Sequence, residues 1–120
     1  MKFTAVLFAT VLRVIDGDTF VVNVNNCDFD IFCKNLDIRV AHIDTPELKS
    51  TCPNGKEKAL QAKSMTESIL KPGSDVVILS PKRDNYFRIV GDVEQIRKPL
   101  IEKGLAVPYE GGKKTFDWCK

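Results

Sequence analysis

The 120-residue sequence lacks several features that mark common functional classes. No apolar run approaches the roughly 20 residues of a membrane-spanning helix, so we expect a soluble protein with no membrane partner. There is one histidine, His42, and the four cysteines form no close Cys-x-x-Cys pair, which argues against a zinc site. The formal net charge is only +2. Any binding of nucleic acid must therefore depend on a local site rather than on overall charge.

The composition is that of one globular domain with its own core. Hydrophobic residues make up 43% of the chain and charged residues 28%, and no repeat or low-complexity segment divides it. We therefore predict a single domain over residues 1–120 and expect a monomer.

The compartment remains open at the level of sequence. The start, "MKFTAVLFATVLRVI", has one lysine before an apolar run, as in a secretory signal, but its residues also suit a β-strand, which we favour. In an oxidising compartment we expect the disulfides Cys27–Cys33 and Cys52–Cys119, and in a reducing one we expect four buried thiols. The protein is then secreted or periplasmic if the start is a signal and the cysteines are bridged, and cytoplasmic otherwise.

The pattern of apolar residues predicts five strands and one long helix. Strands are predicted over residues 3–15, "TFVVNVN", "LDIRVAHID", "DVVILS" and "YFRIVGDV", with a basic turn, "PKRDN", before the last. The helix is predicted within "STCPNGKEKALQAKSMTESILKPG", and a short second helix begins at Pro99. This order suits an α+β domain built on a small barrel of the oligonucleotide-binding (OB) kind, one of several folds that the pattern permits.

Three carboxylates stand out, namely Asp18 in the "DGD" turn and Asp44 and Glu47 in "HIDTPE". Taken singly, each is most often a solvated surface acid. Together with the carbonyl of Thr45 they could supply the all-oxygen shell that calcium prefers. No histidine or cysteine lies directly beside these acids in the sequence, which argues against zinc or copper.

Two arginines, Arg39 and Arg88, fall within predicted strands. An arginine there is commonly an ion-pair partner or an edge residue, but its planar guanidinium can also grip two oxygens of a phosphate. Strict alternation places Arg39 and Asp44 on opposite faces of the third strand. If both serve one site, the strand must bend or bulge near Asp44.

Several segments, in order, resemble the staphylococcal nuclease (thermonuclease) family. They are "VIDGDTF", "IRVAHIDTPEL", "GKEKALQAK", "RDNYFRIVGDV" and "LIEKGLAVPY", and the resemblance spans residues 10–109. It implies an OB-fold five-stranded β-barrel with flanking helices and calcium-dependent hydrolysis of DNA and RNA. The cysteines are not part of the family's core pattern.

The resemblance also implies a role for each matching residue. Asp18, Asp44 and the carbonyl of Thr45 match the ligands of one Ca²⁺ ion, and Glu47 matches the general base. Arg39 and Arg88 match the pair that clamps the scissile phosphate. The predicted substrate-binding residues are Tyr86 and Tyr109.

The sequence departs from the family pattern beside Arg88. Phe87 replaces the usual glycine between the tyrosine and the arginine, and Asn85 replaces a lysine, so the aim of Arg88 is open. The alternative function is a catalytically inactive OB-fold module that binds nucleic acid or protein. We favour the nuclease because the three acids and both arginines are present. A two-carboxylate glycosidase is set aside, since it leaves the arginines unexplained.

Overall fold

Five strands close into a barrel in the computed structural model, which describes residues 5–84 and 88–120. The strands are β1 (Val6–Asp16), β2 (Thr19–Val24), β3 (Leu36–Val40), β4 (Ile43–Asp44), β5 (Asp75–Arg83), β6 (Ile89–Asp92) and β7 (Val107–Pro108), and the helices are α1 (Asp30–Cys33), α2 (Pro53–Ile69) and α3 (Glu94–Glu102). The order around the barrel is β1-β2-β3-β6-β5. Strands β3 and β6 run parallel and the other barrel pairs run antiparallel. The predicted α+β OB-fold class is confirmed.

The core follows the two-residue period of the strands. Phe20 and Val22 of β2, Ile38 and Val40 of β3 and Ile78 of β5 are fully buried and belong to one cluster. Side chains that alternate across a strand present every second residue to the barrel interior, so these apolar residues meet. Helix α2 packs on β1 and α3 packs on α2, which places the long helix beside the "DGD" turn.

Helix α2 forms where the sequence predicts it. Pro53 occupies its first turn, where a missing N–H costs nothing, and the helix ends before Pro72 and Gly73. Its buried face carries Ala59 and Ala62, small residues that let the helix approach the barrel closely. Helix α3, in contrast, begins at Glu94 rather than at Pro99, which lies inside it, so the predicted start was wrong.

The predicted third strand is broken in two. Strand β3 ends at Val40, and His42 has a φ of 71°, a left-handed conformation that redirects the chain into β4. The bend required near Asp44 is therefore present. Strand β5 continues to Arg83 after an irregularity between Leu79 and Lys82, so part of the predicted basic turn is strand.

Two disulfides join Cys27 to Cys33 and Cys52 to Cys119, the pairing expected for an oxidising compartment. The first encloses α1, a short helix that the sequence did not predict. Of the helices within residues 5–84 and 88–120, not one combines the length and the apolar character needed to cross a bilayer.

Candidate active site

The "DGD" turn is held between α2 and β3. A Cβ atom on Gly17 would lie 2.7 Å from the Cβ of Ala62, so the turn can approach α2 this closely only with glycine. The Thr66 hydroxyl donates to the Gly17 carbonyl at 2.7 Å, and the Val40 amide donates to the Asp18 carbonyl at 2.8 Å. These contacts fix the backbone of Asp18.

Arg39 connects the turn to the bend after β3. Its Nη1 lies 3.0 Å from Oδ2 of Asp18, and the two side chains are only 13% and 9% exposed. The same guanidinium donates to the carbonyls of Val40 at 2.6 Å and Ile43 at 3.0 Å, on either side of the bend. Arg39 is thus an ion-pair partner and a brace for the backbone, with its orientation set by three oxygens.

The acids of "HIDTPE" follow the bend. Asp44 and Thr45 are buried, at 4% and 3% exposure, because β4 pairs with β7 and brings Asp44 opposite Val107. The Glu47 side chain is 68% exposed. The Nζ atom of Lys114 lies 2.9 Å from Oδ1 of Asp44 and 3.7 Å from Oε1 of Glu47.

Arg88 and Tyr109 lie directly beside the ends of β6 and β7, respectively. The Nε of Arg88 lies 2.8 Å from Oδ2 of Asp84, and its side chain is 35% exposed. Tyr109 follows β7, and its amide donates to the His42 carbonyl at 2.9 Å. Tyr86, the other predicted substrate-binding residue, lies outside the described residues, as do the neighbouring departures from the family pattern.

Two adjoining clefts gather these residues. The larger, of about 510 Å³, is here called the main cleft, and the smaller, of about 300 Å³, the side cleft. Six of the predicted site residues line the main cleft: Asp18, Arg39, Thr45, Glu47, Arg88 and Tyr109. Asp44 lines the side cleft, and Lys114 lines both. Thr45 and Glu47 also line both clefts, so the structure brings six predicted residues into the main cleft and places Asp44 in the adjoining side cleft, in contact with Lys114.

Two ionisable groups beside the predicted metal ligands have shifted pKa values. Burial, followed by the hydrogen bond and charge of the neighbouring Asp18, raises the pKa of Asp16 to about 7. Burial alone lowers the pKa of Lys114, but the hydrogen bond and charge of Asp44 outweigh it and raise the pKa overall. Asp18 and Arg39 also act on Lys114. The charges of Asp44 and Asp18 thus both act on the Lys114 ammonium.

The residues present fit a hard divalent cation by their chemistry. Asp18 and Asp44 are buried carboxylates and Thr45 adds a backbone carbonyl, all oxygen donors of the kind calcium prefers. Among the residues described, no three His, Cys, Asp or Glu side chains form a group that could hold a metal ion. The predicted set does not require such a group, since it comprises two carboxylates and one carbonyl.

Four residues have larger roles here than sequence reasoning gave them. Asp16 accepts a hydrogen bond from the Asp18 amide, Lys114 contacts Asp44 and Glu47, and the Trp118 indole donates to Asp44. Thr66 was not singled out, although a threonine on the buried face of a helix signals a hydrogen bond to another element. The pairing of these residues is long-range, so local pattern could not reveal it.

Comparison with known proteins identifies the family of this chain. The model for the family described as "Staphylococcal nuclease homologue" matches residues 37–117, which include every predicted site residue except Asp18. The chain is 30% identical over 136 residues to a protein of Schizosaccharomyces pombe described as a probable endonuclease. That match covers 92% of this chain and 59% of the relative, so the chain spans about three fifths of the relative's length. The chain belongs to the staphylococcal nuclease homologue family.

Proposed function

We propose that this chain is a calcium-dependent nuclease that hydrolyses phosphodiester bonds of DNA and RNA with little sequence preference. The observation that carries the proposal is the main cleft, where Arg39, Arg88, Glu47 and Asp18 line one cavity. Membership of a nuclease family and similarity to a probable endonuclease support the same reaction.

Asp18, Asp44 and the carbonyl of Thr45 would hold the calcium ion. Calcium bound there supplies positive charge that offsets the charge on the non-bridging oxygens of a phosphodiester. Asp18 and Asp44 are almost fully buried, and their carboxylates are oriented by side-chain contacts, Asp18 by Arg39 and Asp44 by Lys114 and Trp118.

Glu47 orients a water molecule in the main cleft and accepts its proton as the water attacks in line with the leaving oxygen. Such a general base contributes roughly 10²-fold to 10⁴-fold, or about 3 to 5.5 kcal/mol. Enzymes that act on slow reactions lower the barrier by up to about 23 kcal/mol or more, and against such a total Glu47 supplies a minor part.

The two guanidinium groups supply a larger part of the lowering of the activation barrier than Glu47 does. Arg39 and Arg88 donate hydrogen bonds to phosphate oxygens whose charge grows in the transition state, which is the condition for catalysis rather than mere binding. The carbonyls of Val40 and Ile43 already hold Arg39 in one orientation. Little reorganisation is then needed when the substrate reacts.

The substrate class follows from this chemistry. Water is the nucleophile, so a ribose 2′-hydroxyl is not required and both DNA and RNA are cleaved. Contacts to the backbone carry little sequence information. Single strands are favoured because Tyr109 and Tyr86 can engage nucleotides whose bases are unpaired.

An oxidising compartment, secreted or periplasmic, is part of the proposal. Both cysteine pairs are bonded, and disulfides persist mainly in oxidising surroundings. The intact mass of natively purified protein is expected to increase on reduction by the four hydrogens that convert two disulfides into four thiols.

The test is digestion of a single-stranded DNA and an RNA of the same sequence, with calcium and with excess chelator. We expect both to be degraded with calcium and neither with chelator. Cleavage that persists in chelator would overturn the calcium mechanism. Tight binding without cleavage in calcium would instead support the inactive-module alternative.

A further inference from the structure

The C-terminal residues 114–119, here called the strap, cross the acidic side of the site. Lys114 approaches Oδ1 of Asp44 at 2.9 Å, and the Trp118 indole Nε1 donates to Oδ2 of the same carboxylate at 3.3 Å. Both oxygens of Asp44 therefore meet a donor from the strap. The strap has no helix or strand, and most of it is exposed, but Trp118 is half-buried.

The strap is anchored at the start of α2. The Cys52–Cys119 disulfide ties the residue after Trp118 to the N-cap of that helix. Asn54 donates to the Cys119 carbonyl at 3.4 Å, and the Phe116 ring packs on the Trp118 ring with centroids 4.5 Å apart. The position of the indole is thus restricted by the disulfide at the next residue, Cys119, and by packing against the Phe116 ring.

The two contacts to Asp44 differ in kind. The Lys114 ammonium carries a charge and competes with a divalent cation for the carboxylate. The indole N–H is neutral and uses one oxygen of Asp44, so it is compatible with a cation on the other oxygen. A hydrogen-bond donor behind a ligating group fixes the orientation of that group and commonly changes metal affinity by about 10-fold to 100-fold when lost.

We propose that Trp118 is a positioning residue, held by the Cys52–Cys119 disulfide, that orients the Asp44 carboxylate toward a bound divalent cation. The inference rests on the calcium site of the proposed function and deepens it. It assigns a structural purpose to the strap, whose disulfide is not part of the family's core pattern.

Proximity is tested first, without any activity measurement. Trp118 is the chain's single tryptophan, so indole excitation reports on it alone. Terbium prefers oxygen ligands, and a bound terbium ion near the excited indole is expected to show sensitised emission. Added calcium is expected to displace the terbium and remove this emission, and Asp44→Asn is expected to abolish it. Terbium that binds without sensitised emission would overturn the proposal.

Calorimetric titration with calcium tests the hydrogen bond itself. Trp118→Phe keeps an aromatic ring against Phe116 but loses the N–H, and we expect calcium affinity to fall by about 10-fold. The matched control, Phe116→Leu, alters the same packing and leaves the N–H in place, and its affinity is expected to change by at most about 2-fold.

The outcomes separate this inference from the proposed function. Calcium that binds wild type and Trp118→Phe equally would overturn the positioning role alone. An equal loss in Trp118→Phe and Phe116→Leu would also overturn it, since packing would then explain the effect. A wild-type protein that binds neither calcium nor terbium would overturn both. Circular dichroism of each variant confirms that it has folded.

Discussion

At the scale of residues, Arg39 combines an ion pair with a brace for the backbone. It pairs with buried Asp18 and also donates to carbonyls on both sides of the bend. A buried ion pair of this kind is a weak source of stability, because desolvation offsets most of the attraction. The ion pair instead fixes the orientation of the Arg39 guanidinium. A guanidinium held in this way points one edge at the carboxylate and braces the bend that carries Asp44 into the site.

Arg88 offers a cleaner test of phosphate contact, because its ion pair is with Asp84 rather than with a predicted metal ligand. Arg88→Lys keeps the charge but loses the planar fork, and we expect kcat/KM on single-stranded DNA to fall by at least about 10-fold, since loss of one transition-state donor costs roughly 10²-fold to 10³-fold. The control is Arg97→Lys. Arg97 makes the same ion pair with Asp92, Nε to Oδ1 at 2.8 Å, away from the main cleft.

Steady-state kinetics of both variants measures the difference. Arg97→Lys is expected to retain wild-type kcat/KM. Equal activity in wild type and Arg88→Lys would show that this side chain does not contact the scissile phosphate.

At the scale of elements, α2 serves as the platform for the "DGD" turn. Gly17 packs against Ala62, and the buried Thr66 donates to the Gly17 carbonyl. The turn before Asp18 is therefore fixed by a residue of α2 that lies 49 positions later in the chain, through the Thr66–Gly17 hydrogen bond. The predicted metal ligand depends on this long-range contact for its position.

Thr66→Val tests that dependence. Valine has nearly the same shape but no hydroxyl, so the buried Gly17 carbonyl loses this donor, and we expect the free energy of unfolding to fall by about 1 to 3 kcal/mol. Ser68→Ala is the control, because its hydroxyl makes an exposed bond to the Met65 carbonyl within α2, and we expect a change within about 0.5 kcal/mol. Urea denaturation measures both. Equal stability of the two variants would show that the contact does not hold the turn.

Sequence pattern predicted the elements whose signals are local. Helix α2, the "DGD" turn and the barrel strands follow from periodicity and turn residues. The pattern failed at His42 and Pro99, where backbone conformation is set by tertiary context: a left-handed φ at a histidine and a proline within a helix both run against local preference. The site was predicted largely through family resemblance, and pattern alone left each acid as an ordinary surface residue.

At the scale of the whole molecule, the site is assembled from parts far apart in sequence. The barrel supplies Asp18 and Arg39, the β4–β7 pair supplies Asp44 and aligns Tyr109, and the strap adds Lys114 and Trp118. The Cys52–Cys119 disulfide joins residues separated by 67 positions, a loop whose closure removes on the order of 4 kcal/mol of entropy from the unfolded chain. This one disulfide therefore both stabilises a small domain and attaches the strap to α2.

The central claim is that hydrolysis takes place in the main cleft, with Glu47 acting on water. Single-turnover cleavage of a short single-stranded DNA in calcium tests it most directly, with Glu47→Gln compared with Glu67→Gln, an exposed acid on α2 outside the main cleft. We expect the cleavage rate of Glu47→Gln to fall by roughly 10²-fold to 10⁴-fold, and that of Glu67→Gln to match wild type. Equal rates in the two variants would contradict the account.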